Sequence, residues 1–220
     1  MKNLLIWLAV LVVLIAVIYA LASNKQTEPE SIPVEVTIIN TSDDQPLAPG
    51  VYVIHQGSFS LNYDGQQSPA SFESMAEVGS ANALKEFIEG QAGVLAVYVN
   101  EAPIGPGGSE RIEMMAPPKQ GIYLSGVQMA VGSNDGYALI DRVQLFDESG
   151  SALEGEHQAD NYDNGTEENS DLGSGFDGGQ PDPSRGEENL DNGTATEPQA
   201  NVTRHPQLTQ TIMEVSIDTN

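Results

Sequence analysis

The sequence predicts an all-β fold: an antiparallel β-sandwich with a short helical insertion, preceded by one apolar helix at the amino terminus. Short runs rich in β-branched and aromatic residues recur along the chain, with Gly, Pro, Asn and Asp turns between them. After the first apolar stretch, residues 68–90 are the clear place where apolar residues recur at helical spacing. No Gly-x-Gly-x-x-Gly joins a strand to a helix and no phosphate-binding loop is present, which argues against alternating βαβ units.

The elements follow in order. Residues 1–23 form a signal anchor or a signal peptide. Leu4 to Ala22 are apolar throughout, long enough at about 1.5 Å per residue to approach a hydrocarbon core of about 30 Å. Ala20-Leu21-Ala22 also has the small-x-small form of a cleavage site, so anchor and cleaved signal both stand. Lys2 favours an inside amino terminus, and either alternative exports the rest of the chain. Residues 24–33 are a polar linker. Val34–Asn40 and Val51–His55 read as strands around the turn-rich segment 41–50. Ser68 as N-cap with Pro69 behind it opens a helix whose Phe72, Met75 and Ala76 share a face and whose stop is Gly79. Leu84, Phe87 and Ile88 mark a second short helix, and both are expected on a sheet edge. Further strands are predicted at Val94–Asn100, Glu110–Met115, Gly121–Val131, Tyr137–Phe146 and Gln210–Ile217.

Composition removes several function classes. Among 220 residues, 32 acids against 8 bases give a net charge of -24, so a run of phosphates could not be neutralised and no nucleic-acid partner is expected. There is no cysteine, which excludes a disulfide frame, a thiolate zinc site and a cysteine nucleophile. His55 is expected to be structural, and His157 and His205 to be solvated loop residues. The plausible metal for such a chain is a hard, oxygen-preferring cation.

From Asp147 to Glu197 the chain carries 15 acids and one base, Arg185. Residues 147–200 are therefore predicted to be a loop-rich acidic excursion from the sandwich, with a bound cation as candidate organiser. Four acids lie in or near glycine turns: Asp135, Asp141, Asp163 and Glu167. A glycine between two acids lets the backbone fold back so that both can face one ion, although a solvated turn acid is the common alternative. Asp160 to Asp171 fails as an EF-hand, because Tyr162 holds the third position and the twelfth is not Glu.

Three motifs in order resemble the spondin N-terminal domain family. HQGSFSLNYDGQQSPASFESMAEVGSANAL (His55 to Leu84) is similar to the family's H-x-x-S-F-S-L, A-S, A-E-x-G and leucine. SNDGYALIDRVQL (Ser133 to Leu145) resembles S-P-D-W-F-x-G-x-D-S-L, with Asp135 and Asp141 at the family's spacing. YDNGTEEN (Tyr162 to Asn169) resembles the aromatic-D-A-G-T-acid loop. The resemblance spans residues 34–220 as one spondin-like domain and implies a C2-like β-sandwich with one calcium ion at its end. Asp135, Asp163 and Glu167 are the implied ligands, and Asp141 a supporting residue. Asn134 and Gly136 depart from the Pro and Trp of animal members.

The resulting expectation is an exported, non-enzymatic, calcium-binding module for extracellular adhesion or recognition. Its partner would be an extracellular protein or glycan, with the amino-terminal segment in a membrane if uncleaved. A structural envelope domain without functional metal is the first alternative. A secreted glycan hydrolase is the second, disfavoured because the only tryptophan, Trp7, lies in the apolar segment and no aromatic cleft is in prospect.

Overall fold

The computed structural model of the protein describes residues 30–100, 102–167, 172 and 200–218. The signal or anchor segment 1–23 and most of the linker lie outside the described residues. No helix among those described is long and apolar enough to cross a membrane.

The described chain forms two antiparallel sheets, packed face to face, with a helical layer on one of them. The four-stranded sheet has the order β4 (Ser109–Ala116), β1 (Ile32–Asn40), β10 (Met213–Asp218), β7 (Gly155–Gln158). The six-stranded sheet runs β3 (Val94–Val99), β2 (Val51–Gln56), β5 (Ile122–Met129), β6 (Gly136–Gln144), β8 (Asp160–Asp163), β9 (Thr203–Arg204). Ile32 and Pro33, read as linker, already belong to β1.

The burial patterns explain the layering. In β1, Val34, Val36 and Ile38 are buried while their neighbours are more exposed, because one face meets the other sheet and the other meets solvent. In β2 the whole run Val51–His55 is buried. Tyr52 and Ile54 join the core between the sheets, whereas Val51 and Val53 pack in a second core beneath the helices. A strand covered on both faces needs a continuous apolar run, which is what VYVIH supplies.

The helices α1 (Ala70–Val78) and α2 (Ala81–Glu89) are therefore a third layer over a sheet face, not an edge decoration. Phe72, Met75, Ala76, Leu84 and Ile88 meet Val127, Met129, Tyr137 and Leu139 there. The N-cap position of α1 is Pro69 rather than Ser68, and no side chain caps it. Ser68 is buried, with its hydroxyl unpartnered among the described residues. At the other end the Gly79 and Ser80 N–H groups bond back to the Met75 and Ser74 carbonyls, as the glycine stop requires.

The start of the acidic excursion is more ordered than its composition predicts. After an isolated bridge between Phe146 and Ala152, the chain leaves β6 and pairs with β10 as β7. Through buried Ala159 it then returns to the six-stranded sheet as β8, opposite Gly136–Leu139. Consecutive four-residue strands thus lie in different sheets. Their register is set by those neighbours and not by any alternation of their own.

Candidate metal centre

Asp135 sits at the tip of the β5–β6 hairpin. The Ala130 N–H bonds the Gly136 carbonyl, the Ser133 hydroxyl donates to the Ala130 carbonyl at 2.6 Å, and the Gly136 N–H donates to Ser133 Oγ at 2.9 Å. The adjoining strand β8 ends opposite, with Asp163 in register with Gly136. The turn after β8 then wraps the Asp135 carboxylate. Oδ2 accepts the Thr166 N–H at 2.8 Å, the Glu167 N–H at 3.1 Å and the Thr166 hydroxyl at 3.2 Å. The Asp135 carbonyl accepts the Asn164 N–H. Asp163 shapes the same turn through Oδ1, which accepts the Gly165 N–H at 2.8 Å, and Gly165 takes the positive φ of 73° that the tight fold needs.

The three acids named from sequence, Asp135, Asp163 and Glu167, are thus brought together by two loops. All are buried: 0%, 5% and 8% exposed respectively. Burial pushes the Asp135 carboxyl up to about 6, and the negative charge of Asp163 pushes the same way, against the hydrogen bonds from the turn. Oδ1 of Asp135 has no hydrogen-bond partner among the described residues, nor does Oδ1 of buried Asn164. A fully buried carboxylate oxygen left without a donor costs free energy that a cation or an ordered water would offset. Asp135 with the two neighbouring acids therefore suits a hard cation in donor type. The carboxylates are not gathered as a finished cage, since no group of three His, Asp or Glu side chains among the described residues is set to hold a metal ion.

Asp141 stands apart from this centre. Six residues along β6, or about 20 Å at strand rise, it binds the loop after β2. Its Oδ2 accepts the Ser60 hydroxyl at 2.6 Å, and its Oδ1 accepts the Leu61 N–H at 3.0 Å and the Ser125 hydroxyl at 2.8 Å. Ser125 Oγ, having given its proton to Asp141, accepts the Arg142 N–H at 2.8 Å and faces His55 Nε2 at 2.9 Å. His55 is consequently Nε2-protonated and structural, and burial lowers its pKa to about 4. The Arg142 side chain completes the latch by donating to the Gly57 and Phe59 carbonyls and lying over the Tyr123 ring. A serine placed between the acid and the histidine is not a nucleophile arrangement, because the carboxylate orients the hydroxyl and not the imidazole.

His205, read from sequence as a solvated loop residue, is 4% exposed. Its Nδ1 accepts the Gln207 and Leu208 N–H groups, which leaves the proton on Nε2. Burial lowers its pKa, partly opposed by the Asp163 charge. The ring lies where a side chain at position 136 would go: a Cβ there would be 2.7 Å from Cδ2 and 2.8 Å from Nε2 of His205. Glycine at 136, a departure from the spondin pattern, is thus tied to a histidine arriving from the far side of the excursion. His157 lies on β7, half-buried. Thr166 and Asn164 were not singled out from sequence, although the Asn-Gly-Thr turn was the signal available.

Set against known proteins, the chain matches no family model and no curated protein sequence.

Proposed function

We propose that this chain is an exported, calcium-binding module of the spondin, C2-like type, acting in recognition or adhesion outside the cytoplasm and not in catalysis. The observation that supports a cation is the buried, unpartnered Oδ1 of Asp135, with the charge of Asp163 close by and the Glu167 N–H bonded to the other carboxylate oxygen. The turn fixes Asp135 through backbone N–H groups and leaves its Oδ1 for an ion, in keeping with oxygen-rich calcium sites. Export rests on the apolar segment Leu4–Ala22. The rival reading, a structural domain without functional metal, is favoured by the absence of a finished three-acid cluster among the described residues.

Thermal unfolding with millimolar calcium, with magnesium and with chelator separates the two. An ion present at about 100 times its Kd adds about 2.7 kcal/mol. At about 2–4 °C per kcal/mol, Tm then rises by about 5–10 °C. The rise is expected with calcium and not with magnesium, and Asp135→Asn combined with Asp163→Asn abolishes it while the apo fold remains. No rise in the parent, or the same rise in the double variant, supports the structural reading instead.

A further inference from the structure

The turn after β8 buries an oxygen that belongs to none of its acids. Asn164 is fully buried. Its N–H bonds the Asp135 carbonyl at 3.2 Å, and its Nδ2 donates to Thr166 Oγ1 at 3.2 Å. The returning chain closes over the same turn. The Ala200 N–H donates to the Gly165 carbonyl at 2.8 Å, and a Cβ at position 165 would stand 2.8 Å from the Asn201 carbonyl oxygen. The Asn164 amide is therefore packed in place and held at both its backbone and its side chain.

Which end of that amide faces Thr166 follows from the threonine hydroxyl, which has a single proton. That proton goes to Asp135 Oδ2 at 3.2 Å, because an ionised carboxylate only accepts. Thr166 Oγ1 then has only lone pairs for Asn164, so the NH2 end must face it. Oδ1 is the end that remains, and it has no donor among the described residues. Oδ1 of Asp135 is in the same state. The two residues are tied through the Thr166 hydroxyl and through the Asp135 carbonyl. Two buried acceptors in one turn, neither with a donor, call for a cation or a water from outside the chain.

On the calcium reading above, on which this assignment rests, we propose that Asn164 Oδ1 is a ligand of the cation, a neutral oxygen beside the Asp135 carboxylate. Calcium takes about six to eight oxygens and draws them from carboxylates, amide carbonyls and water alike. An amide oxygen adds to such a set without bringing more negative charge to Asp135, whose ionisation burial and Asp163 already oppose. It also fits the lack of a gathered three-acid cage among the described residues, since Asn164 is not an acid. The D-A-G-T-acid loop that the sequence resembles has alanine here, so this oxygen is no part of that pattern.

Asn164→Leu and Asn164→Asp separate the oxygen from the structural bond of the amide. Both variants lose the NH2 donor to Thr166, and only Asn164→Asp keeps an oxygen at the position. The full chain in detergent micelles is titrated calorimetrically with calcium chloride at about pH 8, where Asp135 is ionised. Asn164→Leu is expected to raise Kd at least about tenfold. Asn164→Asp is expected to bind as tightly as the parent or more tightly, because added ligand charge favours calcium. In the parent itself, the Asn164 Cγ carbon resonance should move on saturation with calcium, a reading that needs no substitution. An unchanged Kd in Asn164→Leu, or Asn164→Asp as weak as Asn164→Leu, overturns the assignment and leaves the calcium reading standing. A Cγ resonance that stays in place while calcium binds does the same, and gives the buried oxygen to a water. A parent that binds no calcium overturns both.

Discussion

Burial of Asp135 raises its carboxyl to about 6, above the value near 3.9 of an unfolded aspartate, and this sets a pH signature for the metal-free protein. Below about pH 4 both states hold the proton and the residue contributes its full stability. As pH rises through about 6 the folded carboxyl ionises and that contribution is lost, a change on the order of 3 kcal/mol. Urea unfolding of the parent and of Asp135→Asn in chelator tests this. The parent loses stability relative to the variant between pH 4 and 6, and parallel curves would show that Asp135 is ordinarily solvated. Gly136 gives a second residue-level test. Alanine there places a methyl 2.6 Å from Ser133 Oγ and against the His205 ring, at a cost of about 1–3 kcal/mol. In a double-mutant cycle, His205→Ala should recover part of that cost. Strict additivity would acquit the ring.

Among the elements, β6 serves two separate places. Its amino end holds Asp135 for the turn after β8, and its middle holds Asp141 for the loop after β2. Replacing Asp141 with alanine strips the acceptor from the Ser60 hydroxyl, the Leu61 N–H and the Ser125 hydroxyl together. Unsatisfied buried donors cost about 1–3 kcal/mol each before relaxation, so a loss of about 2–4 kcal/mol is expected in chemical unfolding. Hydrogen exchange at the Leu61 amide should quicken, and any calcium-dependent rise in Tm should persist. Loss of that rise in Asp141→Ala would make Asp141 part of the candidate metal centre after all. The helical insertion shows the same division of labour. Its apolar spacing was legible in Phe72, Met75 and Ala76, but covering a sheet face rather than an edge follows from β2 and β5 being buried on both sides.

For the whole molecule, the sequence by itself determined the strand-rich character, the helices at 70–89, the acidity and the glycine turns that carry Asp135, Asp163 and Glu167. Those signals are local: β-branched runs, apolar periodicity and glycine turns act within about ten residues. Tertiary structure alone decided that polar GEHQ and DNYD become strands, because neighbours in two different sheets supply their hydrogen bonds. It also buried His205 and separated Asp141 from Asp135, although both aspartates lie in one motif. A strand carries residues six apart to opposite ends of a sheet, while pairing brings Asp135 to a turn 31 positions away. Distances of that kind are set by which edges meet, and no short window of sequence contains them.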